Sequence, residues 1–280
     1  MVVPIIYHAS SRVGILTPGT AALPLSVTFG KRAGEAKVGS AVSLRAAYRL
    51  APDTNVILTG IGEDVPIERW WGVGVQKRII VIKGMIRARI GLVTTPNFSL
   101  TINVPRWDDL HAIKRIGHVY SELVGEGMPA ALHVNGRTDW DFVRWTQFIV
   151  DHHEVTHVAY EFTTGSRWGG RRIQHAAWLC TLAKNVGRPL HLIVRGGHEL
   201  MEQFLGVFDQ VTVLEADSFM WTMKRKEAVL GNNSNIRWRA APTEKDAPLD
   251  QLMTKNIEAN KVNIENRLRF IMGNQRIGTA

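Results

Sequence analysis

The sequence of 280 residues contains one cysteine, Cys180. One thiol makes no disulfide within the chain and excludes a multi-cysteine zinc site. Cys180 lies in Ala176-Ala177-Trp178-Leu179-Cys180-Thr181-Leu182-Ala183, an apolar helical pattern that places it in a core. No run of about eighteen apolar residues is present to cross a bilayer. Residues 1–8 lack the basic, apolar and small-residue order of a signal peptide. A soluble, cytoplasmic protein without membrane contact is the expectation. The P-loop and dinucleotide fingerprints are missing, as are zinc-finger, basic-zipper and RNA-recognition signatures. The sequence names no cofactor and no metal.

What the chain does have is a repeated pattern between residues 91 and 217. Short apolar runs end in polar residues and are followed by amphipathic stretches of about twelve to twenty residues. The runs are Gly91-Leu92-Val93-Thr94-Thr95-Pro96-Asn97, Ala130-Ala131-Leu132-His133-Val134-Asn135, His157-Val158-Ala159-Tyr160-Glu161-Phe162, His191-Leu192-Ile193-Val194-Arg195-Gly196 and Val211-Thr212-Val213-Leu214-Glu215-Ala216-Asp217. Such runs read as parallel strands joined by crossover helices. Two strand-like stretches at residues 4–8 and 24–29 and one at residues 55–60 bring the number to eight, as a closed (β/α)8 TIM-type barrel requires. Only a short Gly- and Pro-containing segment separates the first two, which predicts a barrel distorted at its N-terminus. The expected organisation is a barrel-like domain over residues 1–230 and a basic C-terminal extension, with a loop and terminal helix, over residues 231–280. A final barrel helix is expected over residues 218–230.

In parallel α/β folds the chemistry sits at the carboxyl ends of the strands. Glu161 interrupts an apolar strand there. A buried carboxylate must be paired or used, and Arg195 on the next strand is its evident partner. Glu215 and Asp217 are two residues apart on one strand, a spacing that suits a divalent metal or divided acid and base roles. His133 and Asn135 share one strand face, and Arg137 can hold an anion in a forked geometry. Asp139 fits a helix N-terminus as well as a general base. Asn97 and Ser99 sit in the turn after the residue 91–97 run. The candidate catalytic residues are therefore Glu161, Asp217, Asp139 and His133, with Asn97, Ser99, Asn135, Arg137 and Arg195 as substrate contacts.

The formal charge is +9, unevenly placed. Residues 1–50 carry six Lys or Arg against one Glu, and residues 223–280 carry eleven against six acids, around a nearly neutral centre. Gly30-Lys31-Arg32-Ala33-Gly34 can contact phosphate, and Arg167-Trp168-Gly169-Gly170-Arg171-Arg172 combines phosphate-binding guanidinium groups with an aromatic ring for base stacking. Lys31, Arg32, Arg167, Trp168, Arg171 and Arg172 are the candidate nucleic-acid contacts, and DNA or RNA, single-stranded included, is the expected partner. Further protein partners would fit a larger assembly.

Across Thr94-Thr95-Pro96-Asn97-Phe98-Ser99-Leu100 and residues 133–139 the chain resembles an uncharacterised bacterial and phage domain family with a Pro-Asn-Phe-Ser turn after a strand. That resemblance spans residues 55–220 and implies a phage or mobile-element setting. In outline the basic barrel is also similar to the tRNA-guanine transglycosylases, but Cys180 alone does not make their zinc site and no catalytic residue transfers. The leading expectation is a nucleic-acid-acting enzyme, a transferase or hydrolase modifying bases or phosphodiesters. A non-catalytic nucleic-acid-binding subunit of a phage or antiviral defence assembly, and an enzyme for a small anionic substrate, are the alternatives.

Overall fold

A computed structural model describes residues 1–29, 37, 39–101, 104–163, 169–231, 235–244 and 246–277. Eight strands alternate with helices along the chain: β1 Val2–Pro4, β2 Thr20–Pro24, α1 Ala41–Ala47, β3 Asn55–Thr59, α2 Asp64–Gly72, α3 Val75–Arg87, β4 Leu92–Thr94, α4 Arg106–Gly125, β5 Ala130–His133, α5 Asp139–Asp151, β6 His157–Glu161, α6 Gly169–Val186, β7 His191–Arg195, α7 Met201–Leu205, β8 Gln210–Glu215 and α8 Asp217–Met223. A hairpin of β9 Lys226–Leu230 and β10 Ile236–Ala240 and a long helix, α9 Asp250–Ile277, follow. The eight strands pair in parallel in the order β1-β8-β7-β6-β5-β4-β3-β2. A parallel bridge between Ile5 and Ala22 brings β1 beside β2, with Ile6 N–H donating to Ala22 O at 2.8 Å. The ring is thereby closed, and the fold is a (β/α)8 barrel.

Alternation along the strands explains the two cores. Val3, Ile5, Ala22, Ile57, Ala131, Ala159, Ile193 and Leu214 fill the barrel interior, where alanine on three strands leaves room for the branched side chains of their neighbours. Residues of the opposite parity, among them Leu58, Leu132, Val158, Leu192 and Val213, face outward into the larger core beneath the helices. In α4 the buried positions Ala112, Ile113, Ile116, Val119, Tyr120 and Leu123 recur at helical spacing, one stripe packed on the barrel wall. Each fully buried Val, Leu or Ile side chain contributes about 1.5 to 3 kcal/mol.

The expected N-terminal distortion is present: no helix lies between β1 and β2. The C-terminal helix α9 packs on β1, α8 and β9 and covers that flank. Two sequence expectations are corrected. The stretch from Pro24 to Phe29 is not a strand: β2 ends at Pro24, and residues Leu25–Thr28 turn in a short 3-10 helix in which Thr28 Oγ1 donates to Leu25 O at 2.8 Å. Proline, without an N–H, suits a strand end. Nor does one helix run from Ser218 to Leu230. Helix α8 stops at Met223, Arg225 adopts a left-handed φ of 52°, and β9 begins at Lys226. Pairing with β10 and capture of the Ala228 N–H by Asn256 Oδ1 at 2.7 Å outweigh the helical propensity of that segment. No helix among the described residues is long and apolar enough to cross a membrane.

Candidate functional site

A polar cavity lies where β7 and β8 end, on the carboxyl side of the barrel, and has a volume of about 420 Å³. Arg195, Glu215 and Asp217 border it from the barrel, Thr163 from beyond β6, Trp238 from the hairpin, and Asn263 from α9. Local chain geometry brings these groups together. Gly196 and Gly197 follow β7 at φ 72° and 70°, and a Cβ on them would lie 2.6 Å from Thr163 Cγ2 and 2.7 Å from Phe162 Cδ2. Only glycine combines that backbone with so close an approach, so the chain turns tightly over the end of β6 immediately after Arg195.

Arg195 on β7 stands in ladder register with Glu161 on β6. Its Nη2 donates to Tyr7 Oη at 3.1 Å. Burial pushes the Tyr7 phenol up from its ordinary pKa, and the Arg195 charge opposes that rise. Tyr7, Glu161 and Arg195 thus form one group at the barrel mouth.

Glu215 is buried at 6 % exposure. Its Oε2 accepts from Ser218 N–H at 3.0 Å and from Asn260 Nδ2 at 2.6 Å. Burial pushes its carboxyl up to about 7, against the pull of those hydrogen bonds. Glu215 Oε1, Arg195 Nε, Thr163 Oγ1 and Asn263 Oδ1 are all buried and have no hydrogen-bond partner among the described residues. A buried polar group left unsatisfied costs about 1 to 3 kcal/mol, and native folds leave few of them. All four belong to residues that border the cavity. Asp217, the first residue of α8, is exposed at the rim. Glu215 and Asp217 therefore differ sharply in environment, and the buried one is the better acid–base group at neutral pH.

Asn97, Ser99, His133, Asn135, Arg137 and Asp139 are not among the residues that border this cavity. Asn135 Nδ2 donates to Asn97 Oδ1 at 2.7 Å and to Phe98 O at 3.1 Å, tying the β4 and β5 loops. Ser99 Oγ donates to Asp64 Oδ1. Arg137 Nη1 donates to Asp109 Oδ2 at 2.6 Å and to Thr101 O at 2.5 Å. Asp139 is exposed in the first turn of α5, while Asp141, fully buried, accepts from the Arg137 and Thr138 N–H groups at 2.8 and 3.1 Å and pairs with Arg106. His133 is 1 % exposed, neither ring nitrogen has a partner among the described residues, and burial lowers its pKa to about 3. Its ring stacks on Tyr160 at 6.2 Å. Lys31, Arg32, Arg167 and Trp168 lie outside the described residues. Arg171 and Arg172 open α6, and Arg172 pairs with Glu199 at 2.8 Å. Among the described residues no group of three or more His, Cys, Asp or Glu could hold a metal ion.

Asn260, Asn263 and Trp238 were not singled out by sequence reasoning. The signal for the first two is the spacing of Asn256, Asn260 and Asn263, one stripe of amides along a single helix face, all three buried.

No family model matches the chain, and no curated protein matches it. Among solved structures it is similar to tryptophan synthase subunit alpha from Legionella pneumophila, with 13% identity, 95% of this chain and 93% of that chain covered and a TM-score of 0.45. It is also similar to the copper homeostasis protein CutC from Streptococcus agalactiae, with 9% identity, 76% of this chain and 97% of that chain covered and a TM-score of 0.41. These likenesses concern the barrel outline only. They include no transglycosylase. The expectation of a nucleic-acid-acting enzyme, or of a nucleic-acid-binding phage or defence subunit, is corrected here: neither similar protein is described as acting on nucleic acid.

Proposed function

We propose that this barrel is an enzyme for a small anionic molecule bound at the ends of β7 and β8. Arg195 anchors the negative group, and Glu215 exchanges a proton with the substrate. The observation that carries the reading is Glu215: one carboxyl oxygen is fixed by Ser218 and Asn260, and the buried residue borders the same cavity as Arg195. A carboxyl pushed up to about 7 populates its acid and base forms together at neutral pH, the condition for efficient general acid–base work. Glu161 stands in register with Arg195, and its charge bears on the same guanidinium.

The test is a melting-temperature and calorimetric screen of the purified chain against acetate, malonate, glycerate, inorganic phosphate and glycerol phosphate. At least one anion should stabilise the protein, and Arg195→Met should abolish the effect. Anions found to bind then serve as the basis for turnover assays, in which Glu215→Gln removes the proton exchange and Glu161→Gln reports whether the second carboxylate shares it. An unchanged melting temperature with every anion, or binding that persists in Arg195→Met, overturns the reading.

A further inference from the structure

Resting on the small-anion reading of the cavity at β7 and β8, we infer that the anion is amphipathic: its carboxylate or phosphate head lies at Arg195 and its apolar body enters a second cavity, across Tyr7. That cavity has a volume of about 280 Å³. Pro24, Leu25, Val27 and Phe29 line it from the end of β2 and the segment beyond, and Ile61 and Ile67 from the turn after β3 and from α2. It therefore lies on the same carboxyl face of the barrel as Arg195.

The order of strands in the ring makes the two cavities neighbours. β1 stands between β8 and β2, and Tyr7, just past β1, belongs to both surroundings. It lines the apolar cavity, and its Oη accepts from Arg195 Nη2 at 3.1 Å. Arg195 in turn borders the polar cavity. One tyrosine side chain thus spans the distance from the anion anchor to the apolar wall. The wall is already in place: Phe29 packs on Trp70 with ring centroids 5.4 Å apart, and Tyr7 packs on Phe219 at 5.2 Å. Tyr7, Pro24 and Val27 line the cavity while half-buried, so apolar surface there is still to be covered. Among the described residues Glu63 is the one charged side chain on the lining, and it is exposed. Its charge opposes an anionic head at that end, which leaves the head at Arg195. A cavity of this size is slightly smaller than one that takes a whole ligand, and it suits a single apolar group, a short alkyl chain or one ring.

Calorimetry on the intact chain tests this with acetate, butyrate and hexanoate, and in parallel with methyl, butyl and hexyl phosphate. The two series tell a carboxylate head from a phosphate head. In at least one of them affinity should rise about four-fold for each methylene that enters the cavity. Hexan-1-ol, the chain without the head, should bind about ten-fold more weakly than the hexyl anion, or worse. Gly62→Phe fills the cavity: Gly62 lines it and is exposed, and a Cβ there would meet Ile67 Cδ1 at 3.9 Å, an ordinary contact. The substitution should remove the gain with chain length while the affinity for the shortest anion holds. Val27→Asn makes the wall beyond β2 polar and is a second variant with the same expected loss, and melting curves confirm that both fold. Equal affinity along both series, a gain retained in both variants, or hexan-1-ol bound as tightly as the anion overturns this inference and leaves the small-anion reading standing. Binding of no anion at all overturns both.

Discussion

Glu215 and His133 are both nearly inaccessible, yet burial moves their titrations so that they act on stability in opposite directions. The Glu215 carboxyl rises from 4.5 to about 7, so the folded chain holds a proton that the unfolded chain releases. Its contribution is present in full below about pH 4.5 and is lost as pH climbs towards 7. The loss amounts to about 3 kcal/mol. Glu215→Gln, neutral at every pH, should flatten that part of the stability profile when urea midpoints are compared between pH 5 and 8. A profile unchanged by the substitution would show that Glu215 titrates as an ordinary carboxylate. His133 has the reverse sign. Its pKa falls from 6.5 to about 3, so the unfolded chain takes up a proton that the folded chain refuses, and stability is lost as pH drops below 6.5. His133→Leu should make the melting temperature less sensitive to acid between pH 6.5 and 4, and an equally steep decline in the variant would contradict this.

At the scale of the element, the carboxyl end of β3 is held so closely to the β4 loop that side-chain volume is excluded. Gly60 N–H donates to Thr94 Oγ1 at 2.8 Å, its carbonyl accepts from Asn97 N–H at 2.9 Å, and a Cβ on it would lie 2.2 Å from Thr95 O. The obstacle is backbone, which cannot rotate aside. Gly60→Ala should therefore cost about 3 kcal/mol, read as a lower urea midpoint with an unchanged slope; a cost below about 0.5 kcal/mol would mean that the loop gives way freely. This is also the scale at which the sequence was most informative. The runs at Leu92, Ala130, His157, His191 and Val211 became β4 to β8 because short apolar runs and helix-length spacing are local properties of the chain. The stretches at Pro24 and Lys226 were misread because a proline strand end and a hairpin anchored by Asn256 depend on what lies across the fold. For the site, Arg195, Glu161 and Asp217 were legible as polar residues at strand ends. The contributions of Thr163, Trp238 and Asn263 were not, since only folding brings residues so distant in sequence to one wall.

For the molecule as a whole, α9 is the element that joins the late segments to the barrel. Fully buried Asn256 accepts from Ala228 N–H and donates to Thr222 Oγ1 and Lys226 O, each within 2.8 Å, so one side chain unites α8, β9 and α9. Asn256→Ala leaves the buried Ala228 N–H without its acceptor and removes the amide donor to Lys226 O and Thr222 Oγ1, at a cost of about 2 to 4 kcal/mol. The expected outcome is a lower melting temperature together with faster amide exchange in residues 226–230, while exchange in β4 to β6 is unchanged. Uniform acceleration throughout the barrel, or none anywhere, would show that α9 is not a separate keystone of the late segments.

The ring also closes by bringing together segments far apart in sequence. Met1 N donates to Val211 O across 210 positions, and β1 pairs along β8. Such a contact must overcome the entropy of a very long loop before it returns any stability, and distant pairings of this kind slow folding. While β1 awaits β8, the partly formed sheet has unpaired edges of the sort that invite association between chains. The barrel's closing seam is therefore a kinetic feature as well as an architectural one. In the time between synthesis of the first strand and capture by the eighth, this chain depends most on dilution or on a chaperone to reach its fold.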